Sequence, residues 1–267
     1  MEQTRAYQSI KVSTHNSSEI EDSLVIEAPL QININNQPYT VIMRTPGNDV
    51  ELISGLLYAE DIYRKKQPFI IESIEDDTYY NTVINITIDK KALGKGYLNK
   101  RTLLSVSSCG ICGKKEISDI QVSGSQLKTQ LKLTSDSIKR MFDYMVSFQT
   151  TFKITGGSHA CSLFDVNSNI LTCKEDIGRH NAVDKCIGSL LLKQELNLAK
   201  IMLVSGRVSY EIVTKAFFAK IPIIIAVSAC SSLAVDFAKE FGICLVGFSR
   251  NNKMTIYSNP QYITYEY

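Results

Sequence analysis

Two thiols stand three residues apart in the run Ser107-Ser108-Cys109-Gly110-Ile111-Cys112-Gly113-Lys114-Lys115, the only close pair among seven cysteines. Gly and Ser surround them, a composition of loops and not of core elements. A thiolate is both a nucleophile and a metal ligand, so three chemistries are open: metal binding, disulfide redox and the carriage of sulfur. A structural zinc site needs a second ligand pair. His159, Cys161, Cys173 and His180 are candidates, but their spacings match no common pattern. A zinc deaminase needs His-x-Glu and a later Pro-Cys-x-x-Cys. His159-Ala160-Cys161 puts Cys where that Glu belongs, and no Pro-Cys-x-x-Cys follows. A thioredoxin-like pair sits where a strand enters a helix. A short helix could begin near Gly113, but no such strand and crossover surround it. Sulfur carriage needs a reachable thiolate and a second thiol to release or relay the sulfur. Lys114 and Lys115 favour the thiolate, so the composition of the loop suits this chemistry best, with zinc and redox roles left open.

A second set of residues points to an anion. Ser205-Gly206-Arg207 and Ser228-Ala229-Cys230-Ser231-Ser232 each leave an apolar, strand-like run and open a helical one. Free N–H groups and the helix dipole favour anions there, and ligands of open α/β sheets bind at the carboxyl ends of strands. Arg207, Arg250 and Lys253 can add charge-assisted bonds to phosphate. The expected ligand is phosphorylated and nucleotide-like; the alternative is ordinary small-residue turns with Arg facing water. No GxxxxGK[ST] and no strand-following GxGxxG occurs, so neither nucleotide hydrolysis nor dinucleotide redox chemistry is indicated. His159, beside Gly156-Gly157, either orients a ligand or satisfies a local hydrogen bond. Glu175-Asp176 reads as a capping pair at a helix start. Cys161, Cys173, Cys186, Cys230 and Cys244 lie in apolar or strand-like settings and read as packed residues.

The elements that must hold these groups follow from periodicity. Residues 1–22 are polar and aperiodic and read as a flexible tail. Leu30, Ile32 and Ile34 alternate with polar residues, as do Tyr39, Val41 and Met43, with Asn35-Asn36-Gln37-Pro38 between, a hairpin pattern. Asn48 is placed to cap a helix with Glu51 as reciprocal partner, and Leu52, Ile53, Leu56 and Leu57 form that helix's apolar stripe. Phe69–Ile74 and Thr82–Ile88 read as strands. Residues 23–98 thus form a small α+β domain, 99–125 a mobile loop with the Cys pair, and 126–267 a C-terminal α/β domain. There, Thr134 or Ser135 caps a helix with Ile138, Met141, Met145 and Phe148 on one face, and Asn167-Ser168-Asn169 turns a hairpin. Strands and helices then alternate from Lys200 to Phe248, which predicts right-handed crossovers and a largely parallel sheet.

Bulk properties narrow the class. The chain has 267 residues, 44% hydrophobic and 21% charged, enough for a sizeable core. Lys and Arg number 29 against 27 Asp and Glu. The balance gives no reason to expect nucleic acid or a membrane surface as partner. The longest apolar run, Ile221–Val227, is strand-sized, and the N-terminus lacks the apolar centre of a signal peptide. The expected setting is a reducing cytoplasm, where a close Cys pair is catalytic, redox or metal-binding.

Several separated segments together resemble the formate dehydrogenase accessory sulfurtransferase family (FdhD): Met43–Gly47, Ser107–Lys114, Thr155–Asp165, Glu175–Lys185, Val204–Arg207, Val227–Val235 and Leu245–Arg250. The resemblance runs from about Pro29 to Tyr257. It implies a cytoplasmic sulfurtransferase with a three-layer, mostly parallel-sheet C-terminal domain like cytidine deaminase. Such proteins take persulfide sulfur from a cysteine desulfurase and pass it to the bis(molybdopterin guanine dinucleotide) molybdenum cofactor, as formate dehydrogenase requires. Carried over, Cys109 bears the persulfide and Cys112 assists. The cofactor-binding segment falls on Phe248, Ser249, Arg250, Asn251, Asn252 and Lys253, with Ser205, Gly206, Arg207, Ser228 and His159 as further binding residues. Guanine nucleotides would mimic the cofactor, and a homodimer is implied. Cys230 stands where the pattern suggests Pro, and Cys161 where it suggests a small residue. The alternative is a non-catalytic chaperone that binds the cofactor and delivers it.

Overall fold

Leu30, Ile32 and Ile34 are fully buried while Gln31 and Asn33 between them face outward, so one strand divides an apolar core from a polar surface. The computed structural model in which this is seen describes residues 1–65, 69–77, 79–98, 124–250 and 253–265. Cys109, Cys112, Asn251 and Asn252 lie outside them.

The chain opens with β1 (Thr4–Ser13) and β2 (Asn16–Val25), an antiparallel pair in continuous register from Thr4↔Val25 to Ser13↔Asn16. The tail expected over residues 1–22 is therefore a hairpin. Nearly all of it is solvent-exposed, which is why no apolar period marks it. Its base is tied down by Gln3, which donates to the Pro46 carbonyl at 3.1 Å and accepts from the Thr151 hydroxyl at 2.8 Å.

Next come β3 (Ala28–Ile34), β4 (Gln37–Arg44), α1 (Asp49–Ala59), β5 (Ile70–Asp76) and β6 (Thr82–Thr87). The strands form one sheet in the order β4-β3-β6-β5 with α1 across its apolar face. Asn35 and Asn36 both have positive φ, 53° and 61°, the backbone of a tight primed turn. Asn48 does not cap α1. It adopts a left-handed conformation without a side-chain cap bond, and its amide oxygen accepts from Lys174 Nζ. Glu51 likewise faces Lys174, at 3.6 Å, so a cation from a distant strand replaces the local capping box.

The second half runs β7 (Leu133–Thr134), α2 (Ser135–Phe148), α3 (Thr150–Thr155), β8 (His159–Phe164), β9 (Ile170–Asp176), α4 (Arg179–Leu192), β10 (Ile201–Val204), α5 (Tyr210–Phe218), β11 (Ile223–Ala226), α6 (Ser232–Phe241), β12 (Cys244–Arg250), β13 (Lys253–Ser258) and β14 (Ile263–Thr264). Thr134 caps α2 in a reciprocal box with Ser137. Ile138, Met141 and Met145 are buried, but Phe148 is 53% exposed, because α2 ends there and the chain turns inward only at Gln149.

The large sheet has the order β13-β12-β11-β10-β8-β9. Only the β10–β11 and β11–β12 ladders are parallel; β8 pairs antiparallel with β9 and β10, and β12 with β13. The expectation of a mostly parallel sheet is thus corrected to a mixed one. Helical crossovers α5 and α6 make the centre parallel, whereas direct hairpins at both flanks must return antiparallel. Met202 and Val204 of β10 pack toward α4, α5 and α6, while Ile201 and Leu203 pack toward α2, which gives three layers.

The two halves meet where α1 crosses α4. A Cβ on Gly55 would lie 2.0 Å from the Asp184 carbonyl oxygen, and one on Gly188 1.8 Å from that of Glu51. The helices touch backbone to backbone, and neither glycine has room for a methyl group. Gly55→Ala should therefore cost about 3 kcal/mol by overpacking, outweighing the roughly 1 kcal/mol that Ala gains over Gly in a helix. Gly156→Ala, with φ 66° but nothing within 4 Å of the new methyl, should cost only about 1 kcal/mol of backbone strain. Urea unfolding midpoints of the two variants check the contrast.

Candidate functional site

The small residues after β10 and β11 let the ladder continue past the strands as loops. Val227 N–H donates to the Val204 carbonyl at 3.1 Å, Val208 N–H to Ala229 at 3.0 Å and Ser231 N–H to Val208 at 3.0 Å. Phe248 N–H donates to the Ser228 carbonyl at 3.0 Å, joining β12 to the same layer. Because β8 runs antiparallel to β10, its first residue, His159, lies at this carboxyl edge as well. Ser205 is fixed to β8 in both directions: its N–H donates to the Ala160 carbonyl at 3.0 Å, and its hydroxyl accepts from Ala160 N–H at 2.8 Å.

The structure thus gathers Ser205, Gly206, Arg207, Ser228, Phe248 and His159 along one edge. β12 continues beyond its last pairing with β11, Ile225↔Val246, and carries Ser249 and Arg250 outward to Lys253 of β13. Arg207, Arg250 and Lys253 are exposed, and Ser249 is buried. Phe248 sits in a register shift between Gly247 and Arg250, with φ 50° and 41% of the residue exposed. A large side chain held in the left-handed region costs on the order of 1–3 kcal/mol, and such strain collects at functional positions. A Cβ on Gly247 would lie 3.0 Å from Cys230 Sγ and 3.3 Å from the Ser228 carbonyl, so the turn after β11 is pressed against β12 itself.

Four residues of this edge were not read from the sequence as anion ligands: Asp176, Glu175, Arg179 and His180, the last weighed only for zinc. Asp176, read as a helix cap, is fully buried and accepts from Lys185 Nζ at 2.7 Å, Gly178 N–H at 2.8 Å, Asn181 Nδ2 at 2.9 Å and Thr45 N–H at 3.1 Å. Its neighbour Glu175 does cap a helix, but it is α3: Thr151 and Phe152 N–H both donate to it at 2.8 Å. Arg179 opens α4 against Gly206. His180 Nε2 lies 2.9 Å from Glu211 Oε2 and 3.1 Å from Ser209 Oγ. The signal available was Gly178-Arg179-His180 between a strand and a helix, the same grammar as Ser205-Gly206-Arg207.

Burial lowers the His159 pKa from its ordinary 6.5; Arg179, His180 and Arg207 lower it further, against the opposing charge of Asp176. Four of the described thiols are held in their neutral form. Burial pushes Cys230 up to about 11 and Cys173 and Cys244 up to about 12. It also pushes Cys161 well up, while Cys186 Sγ donates to the Cys161 carbonyl at 3.0 Å. Among the described residues no three His, Cys, Asp or Glu side chains are grouped to hold a metal, and no helix is long and apolar enough to cross a membrane.

Fold and edge together define an α/β protein on a mixed six-stranded sheet whose carboxyl edge is lined by small-residue turns and cationic side chains. Its lineage is more specific: the chain belongs to the FdhD/NarQ family, whose profile matches residues 25–264. It is 39% identical over 262 residues to the "Sulfur carrier protein FdhD" of Sulfolobus acidocaldarius, covering 98% of this chain and 99% of that one. To the protein of the same name from Mycobacterium tuberculosis it is 40% identical over 258 residues, covering 91% and 92%. A crystal structure assigned to a formate dehydrogenase accessory protein from Desulfotalea psychrophila superposes with a TM-score of 0.76 over 98% of this chain and 100% of that one. At 23% identity it supports the fold.

The surroundings of His159 set a testable sign. Its folded pKa lies below the unfolded value of 6.5. The unfolded chain therefore binds the proton more readily, and stability falls as pH drops through 6.5. The His159 ring protons should titrate by NMR with a midpoint below 6.5, and His159→Gln should show a shallower loss of stability on acidification.

Proposed function

We propose that this chain is a sulfur carrier of formate dehydrogenase maturation. Cys109 thiolate attacks the outer sulfur of a cysteine desulfurase persulfide. A new S–S bond forms on Cys109 as the donor's S–S bond breaks, and the donor cysteine leaves as thiolate. Cys112 thiolate then attacks Cys109 Sγ, so that a Cys109–Cys112 disulfide forms as the outer sulfur leaves as hydrosulfide to the bis(molybdopterin guanine dinucleotide) molybdenum cofactor, here a substrate, and a thiol reductant returns the pair to its reduced form. The observation that carries this reading is family membership over residues 25–264, with relatives of nearly equal length that bear the sulfur carrier name, in a chain that holds the Cys109-x-x-Cys112 pair.

The cofactor's nucleotide moiety is assigned to the carboxyl edge. Arg207, Arg250 and Lys253 supply charge, Gly206 and Ser228 supply close backbone, and the exposed Phe248 ring offers a face for a base. Asn251 and Asn252 belong to the same segment by sequence. Guanosine diphosphate serves as the probe for this site. The C-terminal half is read as cytidine-deaminase-like, and the working partners as cysteine desulfurase, formate dehydrogenase and a second copy of the chain, in the cytoplasm.

The test is intact mass after incubation with a cysteine desulfurase and cysteine, followed by peptide mapping. One added sulfur is expected on the peptide holding Cys109 and Cys112, and none in Cys109→Ala, which should also fail to activate formate dehydrogenase. Full activation by Cys109→Ala would instead make the protein a non-catalytic cofactor chaperone.

A further inference from the structure

The four-stranded sheet is closed along one side and open along the other. β4 ends it with Tyr39, Thr40 and Arg44 buried. β5 ends the opposite side, and no described strand pairs with its outer edge. Every residue of β5 but Ser73 is exposed, which makes it the most open strand of the four- and six-stranded sheets. Its composition does not account for this. Ile71 and Ile74 lie on the α1 side of the sheet, opposite Ile86 and Ile84 of β6. Those two are buried beneath α1, whereas Ile71 is 37% exposed and Ile74 50%. The helix covers β3 and β6 and stops short of β5. The outer face of the same edge is acidic. Glu75 lies on it opposite Val83, and Glu72, the extra residue of the register shift between Ile71 and Ser73, accepts from Thr87 Oγ1. A row of side-chain hydrogen bonds crosses this face from Gln31 through Asn33 and Asn85 to Ser73, at 2.9, 2.7 and 2.6 Å, and ends at the open edge.

An unpaired strand edge offers backbone donors and acceptors to any extended chain, and uncovered isoleucines beside it mark an interaction surface. Charge selects the occupant. A second copy would bring its own Glu72 and Glu75 against these, and like charges across a ladder are destabilising. A strand with Lys or Arg on one face and apolar residues on the other satisfies both faces of the edge at once. We propose that β5 is a docking edge for an extended basic segment of another protein, which adds to the sheet as a further strand. Its apolar residues cover Ile71 and Ile74 on the α1 side, and its Lys or Arg residues face Glu72 and Glu75. In strand addition the main-chain bonds give the affinity and alternate side chains the specificity. The edge belongs to the small sheet and shares no residue with the carboxyl edge of the large one.

The probe is the capped peptide Lys-Val-Lys-Ile-Lys-Val-Lys, with Glu-Val-Glu-Ile-Glu-Val-Glu as its control. Each is titrated calorimetrically into the full chain, and amide hydrogen exchange locates the site. The basic peptide should bind and slow exchange across Ile70–Asp76, and the acidic one should do neither. Ile74→Lys should abolish binding. Glu75→Lys should weaken the basic peptide by about fivefold, the scale of an exposed ion pair. Both positions are exposed, and thermal melts establish that both variants are folded. Equal binding of the two peptides, binding without protection of β5, wild-type affinity in both variants, or no binding of the basic peptide would each overturn the docking edge. If Ile74→Lys instead turns a dimer into a monomer in sedimentation, the occupant is a second copy and the basic segment is overturned.

Discussion

The structure depends on how Asp176 is held with no exposure to water. A carboxylate in that position is costly unless its oxygens are fully engaged. Here one ammonium, two backbone N–H groups and one amide surround it. Two of the ties reach the segment after β4. Thr45 N–H donates to Asp176, and Lys185, which neutralises it, also donates to the Thr45 carbonyl at 2.8 Å. Thr45 Oγ1 accepts in turn from Ile177 N–H at 3.0 Å, and Asn181 donates to the Met43 carbonyl. Arg44, between these residues and equally buried, turns the other way and pairs with Asp49 through Nε at 3.0 Å and Nη2 at 2.9 Å. Consecutive residues thus clamp opposite halves of the molecule. Asp176 is also the register partner of His159, so the clamp that joins the halves places the first residue of the carboxyl edge.

Close helix packing completes the junction. Where α1 meets α4, side chains are replaced by glycine, and carbonyls of one helix face α-carbons of the other. Asp184, whose carbonyl faces Gly55, is buried with its carboxylate on Lys215 of α5 at 2.6 and 2.8 Å. Desolvation raises the Asp184 pKa and the nearby Lys215 opposes that rise. The same turn of α4 therefore serves α1 through its backbone and α5 through its side chain, so the first sheet, the crossover helix and the turn after β10 share one foundation.

Much of this was legible. The alternation of Leu30, Ile32 and Ile34, the Asn35-Asn36 turn, the stripe on α1 and the crossovers of α5 and α6 are local patterns, and local patterns survive folding. What escaped the sequence depends on partners far along the chain. Asn48 looks like a cap until Lys174 arrives, 126 residues away. Asp176 looks like a cap until Thr45 does, 131 residues away. The β1–β2 hairpin has no apolar period because it is held at its base and solvated elsewhere. The parallel character of the sheet was overstated because strand order at the flanks depends on hairpins, and periodicity reports strands without their direction. For the site, the turns after β10 and β11 were readable from their small residues, whereas Arg179 became visible only once Gly206 was seen against it. The Cys109–Cys112 pair, the clearest chemical signal in the sequence, lies outside the described residues.

The raised thiols have a bearing on chemical fidelity. Exchange between thiols and persulfides proceeds through the thiolate. A group with a pKa of about 12, as at Cys173 and Cys244, supplies that form in only about one molecule in 10⁵ at neutral pH. Cys230, in the turn after β11, is suppressed in the same way. In a chain of seven cysteines that exchanged sulfur through one pair, every other reactive thiol would be a wrong destination. Burial would solve such a problem passively, because it withholds the thiolate at Cys173, Cys230 and Cys244 without any further device.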